Sequence, residues 1–151
     1  MVNGDIGETV SGSATEITGD GIINLKYALK SAYTANATFL LNRTSLAAIR
    51  KLKDINGQYI WMSGIAAGRP NTLDGDPYLE MPDMPNAGAG LYPVAYGDFR
   101  RGYAWVDRLQ MAFLRDPYTQ AAVGNVRNIF RQRVGGQVRD AEAIKKMKCS
   151  T

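Results

Sequence analysis

Between residues 63 and 90, glycine or proline recurs every few positions: Gly64, Gly68, Pro70, Gly75, Pro77, Pro82, Pro85, Gly88 and Gly90. No regular helix runs through such a stretch, because glycine frees the backbone and proline removes a donor that the helix needs. The stretch divides the chain in two. Apolar residues recur at helical spacing before it and gather in strand-sized blocks after it. Helices first and strands later, without regular βαβ alternation, point to an α+β fold.

Ile22, Leu25, Leu29 and Ala32 stand three or four apart, which predicts an amphipathic helix over 21–33 with Asp20 as its N-cap. Residues 37–41 read as a short buried strand. Asn42 then caps a second helix reaching about Lys53, with Leu46, Ile49 and Leu52 on its apolar face. Asn56-Gly57 signals a turn, and Tyr59-Ile60-Trp61 an extended piece. Residues 77–81 read as an edge strand because of Pro77. Residues 92–96, 102–106 and 109–114 read as three strands of an antiparallel meander, joined by polar links at 97–101 and at Asp107-Arg108. Over 126–134 the pattern alternates. Val126, Phe130 and Val134 take one face, and Arg127, Arg131 and Arg133 the other. Residues 1–19, rich in Gly, Ser and Thr, read as a flexible acidic lead-in.

The chain has no histidine, which excludes Ser-His-Asp and Cys-His nucleophilic sites and any zinc site needing imidazole. Its single cysteine, Cys149, excludes an internal disulfide and CxxC chemistry. Asp74, Asp76, Glu80 and Asp83 cluster, but not at EF-hand spacing, and read as solvated loop carboxylates. No glycine run ends in Gly-Lys-Ser/Thr, and no serine sits in a GxSxG setting. No catalytic residue, cofactor or metal is therefore expected. No signal peptide is visible at the N-terminus, and the longest apolar run, 37–41, is far too short for a membrane span. The sequons at Asn36 and Asn42 accordingly read as chance.

Charge is unevenly placed. Residues 1–25 carry Asp5, Glu8, Glu16 and Asp20 and no Lys or Arg. From Asn125 onward, Arg127, Arg131, Arg133, Arg139, Lys145, Lys146 and Lys148 face only Asp140 and Glu142. An acidic head and a basic tail suggest head-to-tail association between copies, or attraction to a polyanion. Arg127, Arg131 and Arg133 on one strand face repel one another unless solvent or an anion faces them. The anion could be carboxylates of a neighbouring copy or nucleic-acid phosphate. Aromatics are not interleaved with the basic residues as in single-strand binders, which disfavours sequence-specific readout.

The order of motifs then resembles the C-terminal portion of the major capsid protein family of tailed bacteriophages and prophages. The matching pieces begin with Phe39-Leu40-Leu41-Asn42-Arg43-Thr44, Leu52-Lys53-Asp54-Ile55-Asn56-Gly57-Gln58-Tyr59, Gly68-Arg69-Pro70 and Met81-Pro82. They continue with Tyr96-Gly97-Asp98-Phe99, Tyr103, Asp107-Arg108 and Arg115-Asp116-Pro117-Tyr118-Thr119, and end with Arg133-Val134-Gly135-Gly136 running to Ala143-Ile144-Lys145. Arg43 departs from the proline often found there in the family. The match extends over roughly 18–148.

The resemblance implies a phage major-capsid-type fold. Residues 20–114 would form an axial-type domain, a central sheet flanked by helices. Residues 115–151 would be the returning segment of a peripheral-type domain with a basic tail. Family members are about twice as long, so the chain is expected to be a fragment or the product of a truncated or split gene. The acidic head and basic tail are expected to be its least ordered parts.

A structural role follows from the same resemblance: a head-shell subunit and not an enzyme, its partners other copies in hexamers and pentamers, with packaged DNA touched non-specifically and no membrane. It would assemble in the bacterial cytoplasm and reside in the virion. Arg127, Arg131, Arg133, Met81, Pro82 and Trp61 are the candidate interface residues, with the proline-rich loop suited to packing at a symmetry axis. The alternative is a non-sequence-specific DNA-binding module using the basic C-terminal strand.

Overall fold

The computed structural model describes residues 6–60 and 72–151. Helix α1 spans Gly19–Tyr27, with Thr18 as its N-cap. Thr18 has extended dihedrals, so its hydroxyl can accept the N–H of Gly21 at 3.0 Å. Asp20, expected as the cap, lies in the first turn, where its charge complements the helix dipole. The helix also ends earlier than its apolar spacing predicts. Leu29 N–H bonds to Lys26 O at 3.3 Å, a three-residue closure, and Ser31–Asn36 continues as a 3-10 helix. Ile22, Leu25 and Leu29 still turn inward as predicted.

Strand β2 (Thr38–Leu41) follows, with Phe39 and Leu41 fully buried. Asn42 caps helix α2 (Arg43–Arg50), its Oδ1 accepting the Ser45 N–H at 2.6 Å. The Asn42 amide also donates to Met84 O and to Asn86 Oδ1, so one side chain fastens the helix start to the proline-rich loop. At Asn56-Gly57 the chain turns, with Asp54 N–H bonded to Gln58 O at 2.7 Å.

The remaining strands of the body are β1 (Gly7–Val10), β3 (Thr72–Leu73), β4 (Asp76–Glu80), β5 (Val94–Gly97) and, after the ribbon described below, β8 (Ile144–Lys148). Together with β2 they form a six-stranded sheet in the order β1-β8-β5-β2-β4-β3. Pairings β1–β8 and β2–β4 are parallel, and the others antiparallel. Register and the two-residue period place Phe39, Leu41, Val94, Tyr96 and Met147 on one face. There they join Ile17, Ile22, Leu25, Leu46, Ile49 and Leu73 in one buried cluster. The rings of Phe39 and Tyr96 meet at 4.2 Å between centroids. At Gly97 a side chain would strike the β8 approach, since a Cβ would lie 2.2 Å from Ala143 O and 2.7 Å from Ile144 Cα.

Four expectations are corrected. Residues within 1–19 are not a lead-in apart from the core, because β1 pairs with β8, Ser11 is buried and Ile17 is 3% exposed. Within that pairing one acid of the head meets one base of the tail, Glu8 Oε1 lying 2.9 Å from Lys146 Nζ. The meander does not form. Phe99–Gly102 is a helical turn, α3, capped by Asp98, and Tyr103–Asp116 is one strand, β6. Register shifts near Asp107/Leu109 and Leu109/Ala112 absorb the polar Asp107-Arg108 pair as bulges.

Among the described residues strand β6 pairs only with β7 (Arg127–Val138), making a two-stranded ribbon whose tip holds a 3-10 turn at Ala121–Val123. The boundary expected at 114 therefore falls inside β6, and the tail returns to the body as β8. Finally, β4 is not an edge strand along its whole length, because β3 covers Asp76 and Pro77. Among the described residues no helix is long and apolar enough to cross a membrane.

Candidate functional site

The ribbon is where the chain spends its apolar residues on solvent. Trp105, Met111, Phe113, Leu114 and Phe130 are all more than half exposed. Phe113 and Phe130 are cross-strand partners, with ring centroids 5.0 Å apart. A pair of strands alone is marginal in water, and an apolar surface of this size on a folded chain marks an interaction face. Gly136 lets the ribbon close at its root, where the Tyr103 ring lies against it; a Cβ there would sit 1.9 Å from the Tyr103 hydroxyl.

Arg127, Arg131 and Arg133 lie on one face of β7, as the alternation predicts, and all three are exposed. Their register partners are Asp116, Ala112 and Leu109. Asp116 holds the ribbon tip: its carboxylate takes the Thr119 hydroxyl and the N–H groups of Thr119 and Tyr118. Those bonds, led by the Thr119 hydroxyl and helped by the charge of Arg127, hold its carboxyl below the usual range. Met81 and Pro82 sit elsewhere. They follow β4 at the end of the sheet where Met81 N–H bonds to Leu41 O, both exposed and not beside the arginine row. Trp61 lies outside the described residues.

The acidic cluster divides. Asp74 and Asp76 each lie 3.1 Å from Lys26 Nζ, and Asp76 accepts the Tyr96 hydroxyl at 2.8 Å. Burial lowers Lys26, but the two carboxylates more than offset it, so its pKa stands above the ordinary value. Burial first and then the Asp76 bond push the Tyr96 hydroxyl strongly up. Glu80 and Asp83 remain exposed. Among the described residues no three acidic or cysteine side chains gather as a metal would need.

Sequence reasoning missed two features. One is the exposed aromatic face of the ribbon, whose period is broken by the bulges. The other is a polar cleft at the ribbon root lined by Arg100, Arg101 and Arg139. Adjacent Arg100-Arg101 was the only local signal for it.

The phage capsid family model matches residues 3–149. Among solved structures, the capsid of an empty GTA particle is 37% identical with a TM-score of 0.84, covering 100% of this chain and 54% of that one. The capsid of the native GTA particle is likewise 37% identical, with a TM-score of 0.85, covering 100% of this chain and 53% of that one. A Gordonia phage Cozz chain shares the fold at 12% identity and a TM-score of 0.65, covering 99% of this chain and 51% of that one. No curated protein matches. The chain spans about half the length of the solved structures it matches.

Proposed function

The chain belongs to the phage capsid family, and on that premise we propose that it is a structural subunit, or part of one, of a tailed-phage or prophage head shell. It acts through contacts with other copies in hexamers and pentamers. The observation that carries this reading is the ribbon, whose aromatic residues have no second layer among the described residues. Such a surface suits a subunit that completes its packing by association.

The body, residues 6–60, 72–102 and 139–150, is the axial-type part, and the ribbon the peripheral-type part. Arg127, Arg131 and Arg133 meet carboxylates of a neighbouring copy, or of the further length that the related capsid chains have. Met81 and Pro82 pack near a symmetry axis. The subunit has no catalytic role; it assembles in the bacterial cytoplasm and ends in the virion. The alternative, DNA binding through the basic C-terminal strand, has less support. Strand β8 lies between β1 and β5, and Lys146 is engaged by Glu8.

Sedimentation with negative-stain microscopy tests the reading, on this chain alone and on a full-length subunit containing it. Rings or shells from the full-length subunit, with small species from the chain alone, are expected. A full-length subunit that stays monomeric across salt and pH would end the proposal. Charge reversal of Arg127, Arg131 and Arg133 is expected to lower shell yield, and an unchanged yield would remove these residues from the interface.

A further inference from the structure

Between Gly21 and Lys53 lies the longest stretch of the chain without Asp or Glu, and it carries Lys26, Lys30, Arg43, Arg50, Lys51 and Lys53. Acids from elsewhere engage the first two: Asp74 and Asp76 flank Lys26, and Glu142 meets Lys30. Among the described residues no ion pair reaches Arg43, Lys51 or Lys53. Arg50 donates to the Tyr78 hydroxyl at 3.2 Å, and Lys53 stands over the Tyr59 ring, 5.0 Å from its centroid. Neither contact cancels a charge. The next acid, Asp54, turns its Oδ1 to the Ile55 N–H at 2.7 Å. Glu80, opposite Leu41 in register, makes no ion pair with Arg43.

Helix α2 presents this charge on a plain surface. Ser45, Leu46 and Ile49 are buried, which leaves two outward rows, Arg43-Ala47-Arg50 and Thr44-Ala48-Lys51, at steps of four and three residues. No large apolar side chain is exposed on the helix. Arg43 and Arg50 stand about 10 Å apart along its axis, and Lys53 extends the row. Arg50 and Lys51 suit the negative end of the helix dipole, so stability alone accounts for them. It does not account for Arg43. That residue stands in the first turn, where the dipole disfavours a cation and no acid offsets it.

We propose that the outer face of α2 receives the phosphate backbone of a nucleic-acid duplex through Arg43, Arg50, Lys51 and Lys53, without reading its sequence. Phosphates of one strand follow at about 3.4 Å along the duplex axis, so a row of this length spans about three of them. Ala47 and Ala48 leave room for the backbone to approach the helix. A second protein fits this face less well. Contacts between proteins centre on aromatic and large apolar side chains, which this helix keeps inward and the ribbon exposes. That the duplex is the one enclosed by a head shell rests on the shell reading; the phosphate contact itself does not.

Two measurements on this chain decide it. The anisotropy of a labelled DNA duplex is followed while salt is raised. Arg43→Gln, Lys51→Gln and Lys53→Gln together are expected to weaken binding about tenfold at low salt and to make the log–log salt slope smaller by about 2 to 3. Arg127→Gln, Arg131→Gln and Arg133→Gln remove the same charge from the ribbon and are expected to leave the slope within about 1 of the parent. Equal losses from the two sets overturn the proposal, because net charge alone would then attract the duplex. A parent chain that binds no duplex at low salt overturns it too. Backbone amide shifts in NMR then locate the contact. Saturable shifts over 43–53 on adding the duplex support the proposal, and shifts confined to the ribbon or to β8 overturn it. A full-length subunit that loses particles through the α2 substitutions, while duplex binding by this chain stays unchanged, makes α2 an interface between copies and also overturns it. Neither duplex measurement bears on the shell reading, which stands or falls with sedimentation.

Discussion

Two aromatic pairs in this chain have the same chemistry and opposite settings. Phe39 and Tyr96 face each other across β2 and β5, both fully buried beneath α1 and α2. Phe113 and Phe130 face each other across β6 and β7, 58% and 64% exposed. Cross-strand geometry is common to both, so pairing alone does not bury a ring. A second layer does, and among the described residues only the body has one. A sheet without its covering layer holds its register but leaves most of its apolar area in water.

Four measurements can break or sharpen that contrast. Hydrogen exchange should show the largest effect. Amides of β2, β5 and β8 are expected to be protected about a thousandfold more than those at the β6–β7 tip, since one region opens globally and the other locally. Equal protection would mean the ribbon is stabilised in some other way. Next come ring deletions followed by urea unfolding. Phe39→Ala is expected to cost about 3–5 kcal/mol, and Phe130→Ala under about 1 kcal/mol in this chain, because removing an exposed ring leaves no cavity.

A glycine pair makes the same comparison in backbone terms. Gly97→Ala drives a Cβ into Ala143 O and is expected to cost about 3 kcal/mol. Gly135→Ala in the ribbon, with nothing within 4 Å of the new Cβ, is expected to change stability by less than about 0.5 kcal/mol. The smallest effect is one of pH. Glu8 has its carboxyl lowered by its bond to Lys146 and then by the Tyr92 hydroxyl. Its contribution is complete above the unfolded value of about 4.3 and is lost as pH falls through the lower folded value. Glu8→Gln should melt earlier than the parent at neutral pH, with the gap closing below about pH 4.3. A gap that widened on acidification would contradict the pairing.

Much of the body was legible where signals are local. Asn42 announces α2 through a side-chain oxygen three residues from its donor, and Ile22, Leu25 and Leu29 announce α1 by spacing alone. What stayed hidden depends on partners remote in sequence. The segment 7–10 carries no strand signal of its own; it becomes β1 because β8, offering Lys146 opposite Glu8, lies beside it. Asp107-Arg108 looks like a turn and becomes a bulge because β7 continues opposite it. In the candidate site the arginine row could be read from period two within one strand. The cleft could not, because it joins residues from three separate parts of the chain.

The place of β8 in the sheet sets an order of events during synthesis. The chain leaves the body at Tyr103, makes the whole ribbon, and only then supplies the strand that fills the gap between β1 and β5. While the ribbon is emerging from the ribosome, β1 has no partner and the sheet ends at β5. The body is therefore completed late, by a contact of long sequence separation, and the sticky ribbon precedes it. A nascent subunit can expose its associating surface before its own frame has closed, so newly made chains are expected to depend on dilution or on a chaperone until β8 is in place.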